Sequence, residues 1–123
     1  MNIKKIKKIV NLTPHEVNLV LGDGKVVTFP SLGVIRLPKR TEVVGKIATS
    51  IDGREVEIPL SKTSFGKAEG LPEREEGTIF IVSSLICQAC PDRDDFFIVD
   101  QTTRDKDGRI VGCRSLSQNP FRR

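Results

Sequence analysis

The residues best suited to binding a nucleotide lie in one short acidic loop. Residues 91–95 read Pro-Asp-Arg-Asp-Asp, and two phenylalanines follow them. A guanidinium can donate a forked pair of hydrogen bonds to a phosphate, a carboxylate can accept from ribose hydroxyls, and an aromatic ring can stack on a base. Local pairing of these charges in a solvated loop explains the same residues equally well. Asp92, Arg93 and Asp94 are therefore candidate ligand-binding residues.

A serine turn just before that loop is a second candidate binding element. Residues 79–82 read Ile-Phe-Ile-Val, which is typical of a buried strand, whereas residues 83–90 place apolar side chains at helical spacing. Ser83 or Ser84 can cap that helix, and Pro91 ends it. Amides at a helix start favour anions. Without a glycine-rich loop or Gly-Lys-Ser, the pattern indicates an anion site but no nucleoside triphosphatase.

The three cysteines are better explained by packing than by chemistry. Cys87 and Cys90 have the spacing of half a zinc site, but only Cys113 and His15 remain to complete it, and both are distant in sequence. On a helix the two thiols share an apolar face, where cysteine packs as a small hydrophobic residue. We therefore expect buried structural thiols, no disulfide framework and no metal.

Arginines flank the last predicted hairpin. Arg109 and Arg114 are five residues apart, so on one regular strand they point to opposite faces unless the strand bulges. One of the two is therefore expected to face a ligand or a subunit interface. Near the start of the chain, Asn11-Leu-Thr13 has the form of a glycosylation acceptor, and residues 13–16 read as a polar turn entering a strand.

Length and composition restrict the classes of protein to consider. The chain has 123 residues, with 37% hydrophobic and 29% charged, which predicts one globular domain over 1–123. No apolar stretch approaches a membrane span, and the start is not a signal peptide, so we expect a soluble intracellular protein. The chain has no Tyr or Trp and only one His, so it is poorly supplied for acid-base catalysis.

The basic charge is concentrated at the two ends. The formal net charge is +4, but the part of the chain between the ends carries slightly more acids than bases. Because a duplex-binding groove needs clustered basic residues, we expect no nucleic-acid polymer as a partner. The lysine-rich residues 1–8 form a basic segment that need not be ordered. The terminal positive charges are those of Lys4, Lys5, Lys7, Lys8, Arg122 and Arg123.

Three Asp-Gly pairs predict three β-hairpins. Each pair lies between β-branched runs, and Asp-Gly favours the positive φ angles of two-residue turns. We further expect a strand at Gly33–Leu37 and an exposed loop at Leu60–Arg74. The predicted fold class is mainly β (α+β), an antiparallel hairpin-rich sheet domain with one short helix. The predicted hairpins join Glu16–Leu21 to Lys25–Phe29, Val43–Ile51 to Arg54–Ile58, and Val99–Thr103 to Arg109–Leu116.

Four motifs, which together span nearly the whole chain, resemble a family of small phage and prophage proteins, the first type of Thoeris anti-defence protein. They are Asn11-Leu-Thr-Pro-His-Glu16, Glu76-Gly-Thr-Ile-Phe-Ile-Val-Ser-Ser-Leu85, Pro91-Asp-Arg-Asp-Asp95 and Arg104-Asp-Lys-Asp-Gly-Arg-Ile-Val-Gly-Cys-Arg-Ser-Leu116.

The resemblance implies sequestration of a signalling nucleotide rather than catalysis. Such a protein binds a cyclic ADP-ribose isomer made by bacterial anti-phage defence, without cleaving it, in the host cell cytoplasm. Some relatives also bind cyclic oligonucleotides, and the family forms homodimers or higher homo-oligomers with ligand pockets at subunit interfaces. No cofactor is implied. The positions taken over as ligand-binding are Phe80, Ser83, Asp92, Arg93, Asp94 and Arg109, with Arg114 as the second arginine of the last hairpin.

Two other functions fit the residues. Asp92, Asp94 or Asp95 could hold Mg²⁺ in a small metal-dependent nucleotide hydrolase. The β-rich chain with basic ends could also be a phage interaction module that binds no small ligand. Turnover that depends on metal would indicate the first alternative. Loss of a contact on deletion of residues 1–8 would indicate the second.

Overall fold

The computed structural model describes residues 5–122 and is mainly β, with one short helix, which confirms the predicted fold class. Its contacts divide it into two compact units, one made of the described parts of Met1–Arg36 and Ala68–Arg123, the other of Leu37–Lys67. Of the basic segment predicted at 1–8, residues 1–4 lie outside the described residues, and Lys8 begins a strand. The elements are β1 (Lys8–Asn11), β2 (Val17–Val20), β3 (Val26–Phe29), β4 (Lys39–Ile51), β5 (Arg54–Phe65), β6 (Thr78–Ile81), α1 (Ser84–Ala89), β7 (Phe96–Arg104) and β8 (Ile110–Gln118).

The larger unit holds a six-stranded sheet in the order β1-β6-β7-β8-β2-β3. Two of the predicted hairpins, β2 with β3 and β7 with β8, form its antiparallel pairs. The pairs β1 with β6, β6 with β7, and β2 with β8 are parallel. Parallel neighbours need a long connection and leave no turn motif in the sequence, which is why only the hairpins could be predicted.

The two ends of this sheet come together. The Leu32 N–H donates to the Asn11 carbonyl at 2.9 Å, so the chain leaving β3 lies beside β1. The sheet therefore curls around its apolar side chains. This core is formed by Val17, Ile81 and Cys113, with Ile9, Leu19, Phe29 and Leu116 packed against it.

The smaller unit is the remaining predicted hairpin, β4 with β5. Both of its strands are longer than predicted. Its turn is Asp52-Gly53, whose positive φ angles of 52° and 77° are those of a two-residue hairpin turn. The predicted loop at Leu60–Arg74 is wrong for residues 60–65, which belong to β5. These residues are mostly polar because both faces of the hairpin are exposed, so the alternation that indicates a half-buried strand is missing.

The strand predicted at Gly33–Leu37 does not form. This stretch makes only one isolated bridge, between Arg36 and Glu69. Gly33 has a φ of 147°, outside the range of a strand, and Pro38 follows directly. Among the described residues, no helix is long and apolar enough to span a membrane.

Candidate functional site

The larger unit has an open groove of about 570 Å³. It lies between the turn that enters β2, the serine turn before α1, and the β7–β8 hairpin. Valine and isoleucine side chains, among them Val99 and Val111, form most of its wall. A concave site of this size, mainly apolar with a few polar groups, is typical of small-molecule sites. The polar side chains that line it are Thr13, His15, Glu16, Asn18, Ser83 and Ser84.

Parallel pairing brings two sides of the groove together. Asn11 at the end of β1 is in register with Ile81 at the end of β6. Because the carboxyl ends of parallel strands meet at one edge of a sheet, the two turns that follow them become neighbours. The Leu12 N–H donates to the Ile81 carbonyl at 2.9 Å and extends this pairing into the first turn. His15 and Ser83 thus line one groove although they are far apart in sequence.

A buried asparagine sets the shape of the first turn. The Asn11 side-chain amide donates to the carbonyls of His15 at 2.8 Å and of Phe29 at 2.9 Å. Its oxygen accepts from the Thr13 N–H at 2.9 Å and from the Thr13 hydroxyl at 2.7 Å. An asparagine side chain can make about four hydrogen bonds, so all of this capacity is used. Asn11 therefore fixes the position of His15 relative to the end of β3.

Ser83 caps the helix as predicted. Its backbone is extended, its hydroxyl oxygen accepts from the Ile86 N–H at 3.4 Å, and its carbonyl accepts from the Cys87 N–H at 3.1 Å. Because the Ile86 and Cys87 amides both donate to Ser83, neither is free to bind an anion. Ser83 and Ser84 are exposed, and both line the groove. Of the predicted ligand residues, all of which lie within 5–122, Ser83 alone lines it.

Arg93 is bound to its own loop. Its Nε and Nη2 donate to the two carboxylate oxygens of Asp95, each at 2.8 Å, and its guanidinium lies 4.3 Å from the centre of the Phe96 ring. The side chains of Arg93 and Asp95 are only 11% and 12% exposed. The hydrogen bond to Asp95 is the main cause that raises the pKa of Arg93. The Arg93 guanidinium, which was expected to bind a phosphate, therefore binds the Asp95 carboxylate.

Asp92 and Asp94 both contact Arg74, and neither lines the groove. The Arg74 side chain donates to the Asp92 carbonyl at 2.8 Å and is ion-paired with the Asp94 carboxylate. The hydrogen bond that the Arg74 guanidinium donates to the Asp94 carboxylate is the main reason that the pKa of Asp94 is lowered. The Arg74–Asp94 pair is about half exposed, with side-chain exposures of 52% and 45%. Neither carboxylate reaches the groove.

Phe80 is packed inside the protein. It is buried, and its ring meets the Phe96 ring edge to face, with centroids 6.1 Å apart and an interplanar angle of 81°. Together with Lys8 and Arg74, it also lines a second, more open pocket of about 440 Å³. A ring packed in this way has little surface left on which a base could stack.

The two arginines of the last hairpin lie outside the groove. Arg109 is in the turn before β8, where its N–H donates to the Asp105 carboxylate at 3.0 Å and its side chain is exposed. Arg114 follows the buried Cys113, and successive strand residues point to opposite faces. Arg114 is exposed and does not line the groove, although its strand neighbours Gly112 and Cys113 do.

The three thiols are free and buried, which confirms the prediction of structural cysteines. Burial, followed by the neighbouring Cys90, raises the pKa of Cys87 from 9.0 to about 11. Burial also raises the pKa of Cys90 and of Cys113. Within residues 5–122, no three His, Cys, Asp or Glu side chains come together as metal ligands would.

The raised thiol pKa values predict a loss of stability in alkali. Between pH 9 and about 11 the unfolded chain has lost the Cys87 proton while the folded chain keeps it, so the free energy of unfolding falls as the pH rises. The slope from this one group is about 1.4 kcal/mol per pH unit at most. Urea denaturation across this range should show a shallower decline in Cys87→Ala. The same slope in both proteins would contradict the assignment.

Four polar groove residues were missed in the sequence, namely Thr13, His15, Glu16 and Asn18. The first three lie in residues 13–16, which were interpreted as a polar turn, and Asn18 lies in the strand that this turn enters. The available signal was the apolar run before Asn11, which marks a strand on the other side of the turn. Two strand patterns with a polar turn between them do not indicate that one strand pairs with β6 and the other with β8.

Comparison of the chain with protein-family models, with curated proteins and with solved structures found no match in any of the three.

Proposed function

We propose that this chain binds and sequesters a cyclic ADP-ribose isomer without cleaving it, and that the groove is the binding site. The class of ligand is suggested by the resemblance of the sequence to the Thoeris anti-defence family. It implies a phage protein that acts in the host cell cytoplasm. Cyclic oligonucleotides, bound by some relatives, are a second ligand class to test.

The observation that carries the proposal is the combination of polar rim and apolar wall in one groove of about 570 Å³. A cyclic ADP-ribose has ribose hydroxyls and phosphates that need polar partners, and a purine face that needs apolar contact. Ser83, Ser84 and His15 offer hydroxyl and imidazole groups, and Val99 and Val111 offer apolar surface. The volume lies within the range of about 300–1,000 Å³ that is usual for such sites.

Binding alone is favoured over hydrolysis by the state of the acidic loop. A hydrolase of the kind considered above needs carboxylates that converge on a metal ion. Asp94 is paired with Arg74, and Asp95 with Arg93, so each of these carboxylates faces a guanidinium. Sequestration needs no general base, which agrees with a chain that has a single histidine.

The proposal is tested by recovering the ligand. The purified protein is incubated with a panel of cyclic ADP-ribose isomers and cyclic oligonucleotides, observed by native mass spectrometry, then denatured, and the released ligand is analysed by mass. We expect one isomer to be retained and released with its mass unchanged. Release of ADP-ribose, or retention of none of the panel, would overturn the proposal.

A carboxylate added to the groove should repel the phosphates of the ligand. Val111→Glu is expected to weaken binding about five- to tenfold, measured by isothermal titration calorimetry. The matched control is Val26→Glu, which adds the same charge at a similarly exposed strand valine that does not line the groove. Equal affinity of the two variants would place the ligand elsewhere.

A further inference from the structure

The hairpin formed by β4 and β5 has no core of its own. Its strands are 13 and 12 residues long, yet every residue in them is exposed except Gly45 and Val56, which are half-buried. A lone two-stranded hairpin is at best marginally stable in water. A hairpin of this length therefore requires a further surface that covers one of its faces.

One face of the hairpin is apolar over the half nearest the turn. The register pairs Ile47 with Ile58, Gly45 with Leu60, and Thr49 with Val56 on this face. The isoleucines and Leu60 are between 41% and 50% exposed. The opposite face carries charge, including the ion pair of Lys46 and Glu57 at 3.1 Å. We define the apolar face as Ile47, Ile51, Val56, Ile58 and Leu60.

The edges of the hairpin are poorly suited to adding a strand. Pro59, in the middle of β5, lacks an N–H to donate. In β4, the register shifts between Val43 and Gly45, which is a bulge. Bulges and edge prolines are devices that block edge-to-edge pairing. The face, rather than an edge, is thus the surface open to a partner.

We infer that the apolar face packs against the same face of a second copy of this chain, related by a two-fold axis that runs along the hairpin between its strands. This operation places β4 of one copy over β5 of the other, with both turns at the same end. Ile47 then lies over Ile58 of the second copy, and Leu60 lies over Gly45, where the missing side chain leaves room. Sheets that pack face to face in this way lie about 10 Å apart.

Charge complementarity supports this arrangement. Glu42 and Lys62 are register partners on the same face as the apolar residues, at its end away from the turn. The two-fold axis places Glu42 of each copy over Lys62 of the other, which makes two symmetric pairs of opposite charge. An arrangement with the turns at opposite ends would place Lys62 over Arg54 instead and set like charges against each other. Opposed charges of this kind set register and partner choice more than affinity.

The first test is the effect of a buried charge on self-association. Sedimentation velocity across a concentration series is expected to show a dimer for the full chain and an association at least about tenfold weaker in Ile58→Glu. Val43→Glu is the control, because it adds the same charge at an exposed residue of the same hairpin on the opposite face. Circular dichroism checks that both variants fold. A monomeric full chain, or equal weakening by both variants, would overturn the inference.

The second test addresses the axis. Glu42→Lys and Lys62→Glu each create like charges across the two-fold axis, so each variant alone should associate more weakly than the unmodified chain. Mixed together, they should form a heterodimer, because opposite charges then face each other. Failure of the mixture to associate better than either variant alone would overturn the proposed arrangement.

This inference does not rest on the ligand proposed above. No groove residue belongs to the hairpin, so calorimetry with the cyclic ADP-ribose panel on Ile58→Glu separates the two proposals. Dimerisation without ligand binding would count against the proposed function alone. Ligand binding by a full chain that stays monomeric would count against the hairpin interface alone.

Discussion

Replacing Asn11 by alanine is expected to lower the free energy of unfolding by about 3 kcal/mol. The substitution removes the hydrogen bonds that Asn11 makes with the Phe29 carbonyl and with the Thr13 N–H, while the His15 carbonyl keeps the Thr13 hydroxyl as a donor at 2.9 Å. Asn11 is almost completely buried, so the smaller alanine also leaves a cavity between the first turn and the end of β3. Each buried polar group left unpaired costs about 1–3 kcal/mol. Equilibrium urea denaturation of the two proteins measures the difference.

Two further variants separate the hydrogen bonds of Asn11 from its volume. Asn11→Asp keeps the shape and the acceptor for Thr13 but loses both donors, and it sets an oxygen against two carbonyls, so we expect it to be at least as destabilised. Asn18→Ala is the matched control, because the hydrogen bonds of Asn18 are exposed, and it should lose less than about 1 kcal/mol. A stable Asn11→Asp protein would show that volume rather than hydrogen bonding matters.

The hairpins could be predicted because their signal is local. Asp23-Gly24, Asp52-Gly53 and Asp107-Gly108 each lie between β-branched runs, and all three form turns. The pairing of β1 with β6 has no such signal, since it joins distant segments through backbone groups that every residue has. The end of β5 was missed for a different reason. With both faces exposed, Ser61 to Ser64 need not alternate with apolar residues.

The candidate site was predicted only in part, because residue types do not show which partner a side chain takes. Ser83 could be assigned from its position between a strand pattern and a helix pattern. Arg93 could not be assigned in this way, because its guanidinium can donate the same pair of hydrogen bonds to a carboxylate or to a phosphate. Asp95, two residues away, takes both of them. The sequence places Asn11 in a motif of the glycosylation type and in the first motif of the resemblance, and neither predicts a buried side chain that organises a turn. The role of Asn11 depends on contacts with Phe29 that no local pattern indicates.

Replacing Arg93 by alanine is expected to lower the free energy of unfolding by about 3 kcal/mol. The loss comes from leaving the Asp95 carboxylate, only 12% exposed, without its partner, and from uncovering the Phe96 ring. Chemical denaturation measures the change. The control is Arg74→Ala, which breaks the half-exposed pair of Arg74 with Asp94 of the same loop and should cost less than about 1 kcal/mol.

A double variant shows whether the loss belongs to the pair. If the cost of Arg93→Ala is mainly that of an unpaired carboxylate, removing that carboxylate as well, in Arg93→Ala with Asp95→Ala, should recover part of the stability. Additive losses would show instead that each side chain matters through its own packing. The ligand affinity of the folded double variant then separates a structural role from a binding role, because Arg93 lies outside the groove. Unchanged affinity would assign Arg93 to the stability of the fold, and a large loss would return it to the binding site.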